Sequence, residues 1–267
     1  FTTGNFLVGR LVGQDSNNIE LRVAQFRAAA DPAACLGLAR GFVASKVRNC
    51  RTLLRRNLVE PNPVLLSELE QSAKRAEVTE SIESLLGVEG AAARAYFGGF
   101  SGMLTPAVRA IGFDLDGRNR RPPRDPVNAL LSFLYALLAK DCTRALLVAG
   151  LDPLLGYYHQ PRFGRPALAL DLMEEFRPII ADSAVLSILN TSVVTPADFV
   201  RTADAAALTS SARRRVIYAY ERRMDQLVTH PVFGYRISYR RVLEVQARLL
   251  GRVLTGEIVE YPEFRTR

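Results

Sequence analysis

Cysteine is scarce in this chain, and the few present cannot build a framework. Cys35, Cys50 and Cys142 are odd in number and never form CxxC. That argues against a disulfide scaffold or a zinc knuckle and suits a reducing compartment. Long apolar runs are missing as well: the longest, "ALLSFLYALLA" (129–139), is too short to cross a bilayer and reads as a buried helix. No secretory signal is seen, so the expectation is a soluble, cytoplasmic protein with no membrane partner. Lysine is nearly absent, with Lys46, Lys74 and Lys140 the only three among 35 basic residues, and the net charge of +8 rests on arginine. Arginine binds phosphate in a planar, bidentate way, and the balance suits a polyanionic partner. A GC-rich genome would leave the same bias. The phosphate loop GxxxxGK[ST] and the fingerprint GxGxxG do not occur. "GGFSGM" (98–103) falls short of a nucleophile elbow, because Met103 stands where glycine is required.

The chain does have enough apolar residues, 48% of 267, for a sizeable core. It shows no repeats and no linker, so one helical domain is the economical reading. Asp31 with Pro32, and Asp125 with Pro126, predict capped helix starts. The first of these helices carries an apolar series at Leu36, Val43, Val47, Cys50 and Leu54, with Lys46, Arg48, Arg51, Arg55 and Arg56 on its other face. Pro61 and Pro63 bracket the turn into a helix near 64–76. Thr195–Pro196 predicts another start, and a later helix has Val216, Ile217, Tyr220, Met224 and Leu227 as its core positions. A final helix ends near Gly256, followed by a tail.

Three places invite chemistry. Ile82, Leu85, Leu86 and Glu89 fall at the spacing of a buried stripe, and a carboxylate there is costly unless it is paired or bound to a cation. Gly87 and Gly90 beside it would admit a close neighbour; alternatively a glycine ends the helix and Glu89 faces solvent. Arg118, Arg120, Arg121 and Arg124 crowd into seven residues before a buried helix, which suits phosphate contacts and equally a solvated charge run. Third, "GYYHQPRFGRPALALDLMEEFRP" (156–178) holds one of only two histidines. Pro161, Gly164 and Pro166 put His159 in a loop. Asp171, Glu174 and Glu175 share one helical arc of about 100°, next to the apolar stripe Leu168, Leu172, Phe176 and Ile179, and Pro178 should kink or restart the helix. One imidazole with two or three carboxylates suits Mn²⁺ or Mg²⁺ better than structural zinc. The bland alternatives are an acidic helix start favoured by the dipole and a satisfied core histidine. His230, before Pro231, reads as a cap.

Three segments together resemble the CRISPR-associated spacer-acquisition integrases: "LLGVEGAAARAYF" (85–97), "GRNRRPPRDPVNALLSFLYALL" (117–138) and "GLDPLLGYYHQPRFGRPALALDLMEEFRP" (150–178). The early "IELRVAQFRAAADP" (19–32) is similar as well. The resemblance implies an all-α fold: a multi-helix catalytic domain with at most a remnant β-strand at the N-terminus. It divides the chain into 1–14, the remnant of an N-terminal β-rich lobe or a linker, 15–256, the catalytic domain, and 257–267, a tail. It implies Mg²⁺ or Mn²⁺ held by Glu89, His159 and Glu174, with Asp171 as a further catalytic acid. The implied reaction joins 3′-OH ends of prespacer DNA to the CRISPR repeat by metal-assisted transesterification. Arg118, Arg120, Arg121, Arg124, Arg162 and Arg165 become candidate DNA contacts. The implied partners are a second copy, a small ferredoxin-like acquisition subunit and, in some systems, a fused or associated nuclease that trims prespacer ends. Only the last strand of the usual N-terminal β-rich lobe could be present in residues 1–12, which implies a truncated chain, and the fused arrangement would also give a chain without its own Met. Two alternatives stand beside the integrase: a metal-dependent endonuclease on branched DNA with the same ligands, and a non-catalytic helical DNA-binding subunit.

Overall fold

Asp31 and Pro32 begin the longest helix as the sequence predicts. The Asp31 carboxylate accepts from the Ala33 amide at 2.9 Å, and Pro32, with no N–H to satisfy, sits in the first turn. A computed structural model of the chain describes residues 18–119 and 122–266. The predicted strand in 1–12, Arg120, Arg121 and Arg267 lie outside the described residues. The helices are α1 (Ile19–Ala30), α2 (Pro32–Asn57), α3 (Pro63–Val78), α4 (Ile82–Phe100), α5 (Pro106–Ala110), α6 (Pro126–Ala149), α7 (Ala167–Phe176), α8 (Ser183–Asn190), α9 (Ser210–Asp225) and α10 (Tyr239–Leu254). The multi-helix class is as expected. The strands among the described residues are two short antiparallel hairpins, β1 (Phe199–Arg201) with β2 (Ala206–Leu208) and β3 (Leu227–Thr229) with β4 (Arg236–Ser238). Thr195–Pro196 starts only one 3-10 turn, Pro196–Asp198, because the chain then runs straight into β1. No helix among the described residues is long and apolar enough to cross a membrane.

Two long helices organise the core. α3 and α4 pack on α2, α10 packs on α6, and α7 lies against both α2 and α6. Leu168, Leu172, Phe176 and Ile179 are all buried as their spacing predicts, each contributing about 1.5–3 kcal/mol. Pro178 lacks the N–H that would continue the ladder, and the chain opens into a π turn, Arg177–Asp182, before α8. Asp182 there accepts from Tyr96 of α4 at 2.8 Å and Tyr135 of α6 at 2.6 Å, tying three elements together.

Some expected core positions lie outside the core. Leu86, Ile217 and Leu227 are exposed, so the stripe on α4 is narrower than its spacing implies. A Cβ at Gly87 or Gly90 would meet nothing within 4 Å, so neither glycine serves a close approach. The predicted tail folds back inward. Phe264 is buried against Phe176, with ring centroids 5.6 Å apart, and its carbonyl accepts from Ser45 and Asn49 of α2.

Candidate metal centre

Asp171 is the keystone of the His159 loop. Its side chain has no exposed surface and accepts four hydrogen bonds: from the Tyr157, Tyr158 and His159 amides at 2.6, 3.0 and 2.8 Å, and from His159 Nδ1 at 2.7 Å. A carboxylate only accepts, so Nδ1 donates to it, which leaves Nε2 as the nitrogen able to offer a lone pair to a metal. Asp171 therefore fixes the His159 ring and its loop, an arrangement of the kind that could orient a metal-binding imidazole. The loop can close this tightly because residue 156 is glycine: a Cβ there would stand 2.7 Å from the His159 carbonyl oxygen and 2.8 Å from Ala167.

The imidazole Nε2 lies 3.6 Å from Glu174 Oε1. Glu174 is 2% exposed, and its Oε2 faces the Lys46 ammonium at 2.7 Å. The same ammonium, rooted in α2, donates to Glu89 Oε1 on α4. Arg177, thrown inward by the π turn, reaches Glu174 Oε1 at 3.1 Å. The structure thus gathers Glu89, His159 and Glu174 from α4, a loop and α7 into one cluster, with Asp171 behind it. Among the described residues, no three His, Cys, Asp or Glu side chains stand as a ready metal cage; the ammonium stands between two of the expected ligands.

The electrostatics match a cation site. Burial alone would raise the Glu174 carboxyl, but Arg177, Lys46 and His159 outweigh it and hold it down at about 2. Burial would lower Lys46, and Glu174 and Glu89 reverse that. Glu174 Oε2 is buried and faces the Lys46 ammonium. An imidazole nitrogen and two carboxylates around a stand-in cation fit Mg²⁺ or Mn²⁺. Beside them lies a cavity of about 20 Å³, room for about one water, bordered by Lys46, Glu89, Tyr96, Tyr135, Arg177 and Asp182.

Glu175, on the predicted acidic arc, turns the other way. Its carboxyl accepts from the Tyr261 hydroxyl and from the Phe264 amide at 2.6 Å, and burial pushes it up to about 8. It anchors the C-terminal segment. His230 is fully buried and its Nδ1 accepts from the Val232 amide at 3.3 Å, capping a turn. Arg118 is turned inward: its guanidinium donates to Asn128 at 2.6 Å and Ser132 at 3.0 Å, and stacks 5.4 Å from the Tyr135 ring, whose other neighbour is Arg177 at 5.0 Å. Arg124 and Arg162 are exposed and Arg165 half-buried. The two residues that sequence reasoning left out of the site are Lys46 and Arg177. The sequence set Lys46 on the basic face of α2, and the structure corrects that: it is buried against Glu89 and Glu174, in keeping with its place three residues after Val43 and four before Cys50.

The profile of the family described as CRISPR associated protein Cas1 matches residues 1–222. A Cas4/Cas1 fusion from Geobacter sulfurreducens, a CRISPR-associated exonuclease and endonuclease, is 54% identical over 99% of this chain and 48% of its own length; the chain thus spans about half of that relative. Among solved structures, a casposase bound to integration product superposes with a TM-score of 0.82 at 25% identity, over 97% of this chain and 70% of that one. A chain of a Cas6-RT-Cas1–Cas2 complex gives 0.78 at 26% identity, over 99% of this chain and 28% of that one. The fold, the family profile and the high identity over nearly the whole chain agree: it belongs to the Cas1 family of CRISPR-associated proteins.

Proposed function

We propose that the chain is the catalytic part of a divalent-metal-dependent DNA integrase of CRISPR adaptation, which joins 3′-OH ends of prespacer DNA to the CRISPR repeat by transesterification. One observation carries this reading. A compact ammonium bridges Glu89 and Glu174 beside the lone pair of His159, so a positive charge already lies where three expected ligands converge. Bound there, Mg²⁺ or Mn²⁺ would polarise a phosphoryl oxygen and offset the charge that develops on the attacking and leaving oxygens. Glu89, Glu174 and His159 Nε2 supply the donors, and Asp171 fixes the imidazole tautomer. Arg177 keeps Glu174 ionised.

DNA is held by its backbone through Arg124, Arg162 and Arg165, together with Arg120 and Arg121, so binding weakens steeply with salt and shows little sequence preference. Arg118 is held inside by Asn128 and Ser132 and is not counted among these contacts. The chain works in the cytoplasm as a dimer, with a small ferredoxin-like subunit and a fused or associated prespacer-trimming nuclease. The support for these partners is a relative that is itself a Cas4/Cas1 fusion and a structural relative found in a complex with Cas2. The same ligands would serve an endonuclease on branched DNA. Joining is favoured over cutting because the casposase likeness is to a protein bound to an integration product.

The test uses labelled branched DNA that mimics a half-site product, with Mn²⁺, Mg²⁺ or EDTA, on wild type and His159→Ala. Strand rejoining that needs both metal and His159 is the expected result. Metal-dependent cutting without rejoining would replace the integrase by the endonuclease. Neither product, in a version carrying the family's β-rich lobe, would leave only a DNA-binding subunit.

A further inference from the structure

We propose that Lys46 is the resident cation of this site. It holds Glu89 and Glu174 together in the metal-free protein, yields them to the divalent cation, and turns its ammonium to the phosphoryl oxygens of bound DNA. The inference rests on the reading of the site as a metal-dependent DNA site and concerns how metal and DNA are taken up together.

The geometry leaves little choice of order. Lys46 is 8% exposed, rooted in α2, and its Nζ contacts Glu89 Oε1 and Glu174 Oε2 at once. These are two of the three protein donors proposed for the metal, so the ion and the ammonium compete for the same carboxylate oxygens. The divalent ion reaches its ligands only as the ammonium leaves them. Lysine suits the exchange. Its charge is a compact point on a flexible stem, whereas an arginine fork would lock both carboxylates in directional hydrogen bonds. Of the 35 basic residues, 32 are arginine, and the one placed between the ligands is lysine.

Charge decides where the ammonium goes. Glu89, Glu174 and Asp171 bring −3 and Lys46 and Arg177 bring +2, so with a neutral imidazole the metal-free cluster stands at −1. A divalent ion added with both cations still in place takes the cluster to +1, in surroundings where Glu174 is almost wholly buried and unbalanced charge is costly. Phosphodiester oxygens are the anions the proposed substrate carries. Metal and DNA therefore bind with positive coupling, and Lys46 is the residue that links them.

The experiment measures free Mn²⁺ by electron paramagnetic resonance on the full chain, with and without a short DNA duplex. It compares wild type with Lys46→Met, Lys46→Gln and Glu89→Gln, and adds melting curves in EDTA. Without DNA, both Lys46 variants should bind Mn²⁺ at least about tenfold more tightly than wild type, because no competitor remains. In EDTA they should melt lower, and Mn²⁺ should restore them. Adding DNA should tighten Mn²⁺ for wild type more than for either variant. If one variant fails to fold, the other carries the test. Wild-type Mn²⁺ binding that Glu89→Gln abolishes upholds the underlying reading; unchanged or weaker Mn²⁺ binding in the Lys46 variants would then overturn the role of Lys46 alone. Absence of Mn²⁺ binding in wild type, with DNA present, would overturn both.

Discussion

Replacing Asp171 by asparagine tests how the site is oriented, because the change keeps size and removes one of two accepting oxygens. Oδ1 takes the His159 amide and ring nitrogen, and Oδ2 takes the Tyr157 and Tyr158 amides. An asparagine can offer its oxygen to only one side. If the oxygen faces the ring, two buried N–H groups meet an NH₂ group, each costing about 1–3 kcal/mol, or about 2–6 kcal/mol together. If it faces the amides, the NH₂ group donates to Nδ1, the imidazole switches tautomer, and Nε2 carries a hydrogen where a metal needs a lone pair. The first outcome lowers the melting temperature by roughly 5–20 °C for a chain of this size. The second leaves more stability but weakens Mn²⁺ by about 10–100-fold. Denaturation curves and Mn²⁺ titration on the same preparation distinguish them. An Asp171→Asn protein with wild-type stability and wild-type Mn²⁺ affinity would refute the orienting role.

Three further outcomes follow from other parts of the fold. Gly156→Ala places a Cβ 2.7 Å from the His159 carbonyl; the loop must shift, at about 1–3 kcal/mol, and Mn²⁺ affinity measured by titration should fall with stability. Glu175 and Asp182 are held up at about 8 and about 6 by burial, from ordinary values of 4.5 and 3.8. The folded chain keeps protons there that the unfolded chain releases, so stability declines as pH rises from about 4 to about 8. Glu175→Gln should remove the part of that slope above about pH 6 in urea titrations; an unchanged slope would show that Glu175 is not held protonated. Arg124→Ala, Arg162→Ala and Arg165→Ala should each weaken DNA binding alike across sequences and reduce the salt slope by about 1; equal slopes across all three and wild type would remove them from the DNA contact.

Local chemistry made much of the scaffold legible. Asp31 and Pro32, Asp125 and Pro126, and Pro178 act on their own backbone, and each helix boundary fell where their side chains dictate. The apolar register of α7 likewise places its buried face. Choices that depend on distant partners were not legible. Glu174 and Glu175 are neighbours on one arc, yet α2 draws the first to Lys46 and the C-terminal segment draws the second to Tyr261. Leu86 and Ile217 keep helical spacing but stay exposed, because their surroundings are set by tertiary packing and not by spacing. Asp171 read as a further acid in the site, and only the folded loop reveals three amides converging on it. Arg118 belonged to a basic run by sequence, and Asn128, Ser132 and Tyr135 turn it inward.

The most direct measurement is pulsed electron paramagnetic resonance of Mn²⁺ bound to the chain with DNA, read for nitrogen couplings. Coordination by His159 Nε2 predicts the modulation of a single imidazole nitrogen, lost in His159→Ala and retained in His230→Gln. A spectrum with no nitrogen coupling, or one that survives His159→Ala, would contradict a metal held by Glu89, His159 and Glu174.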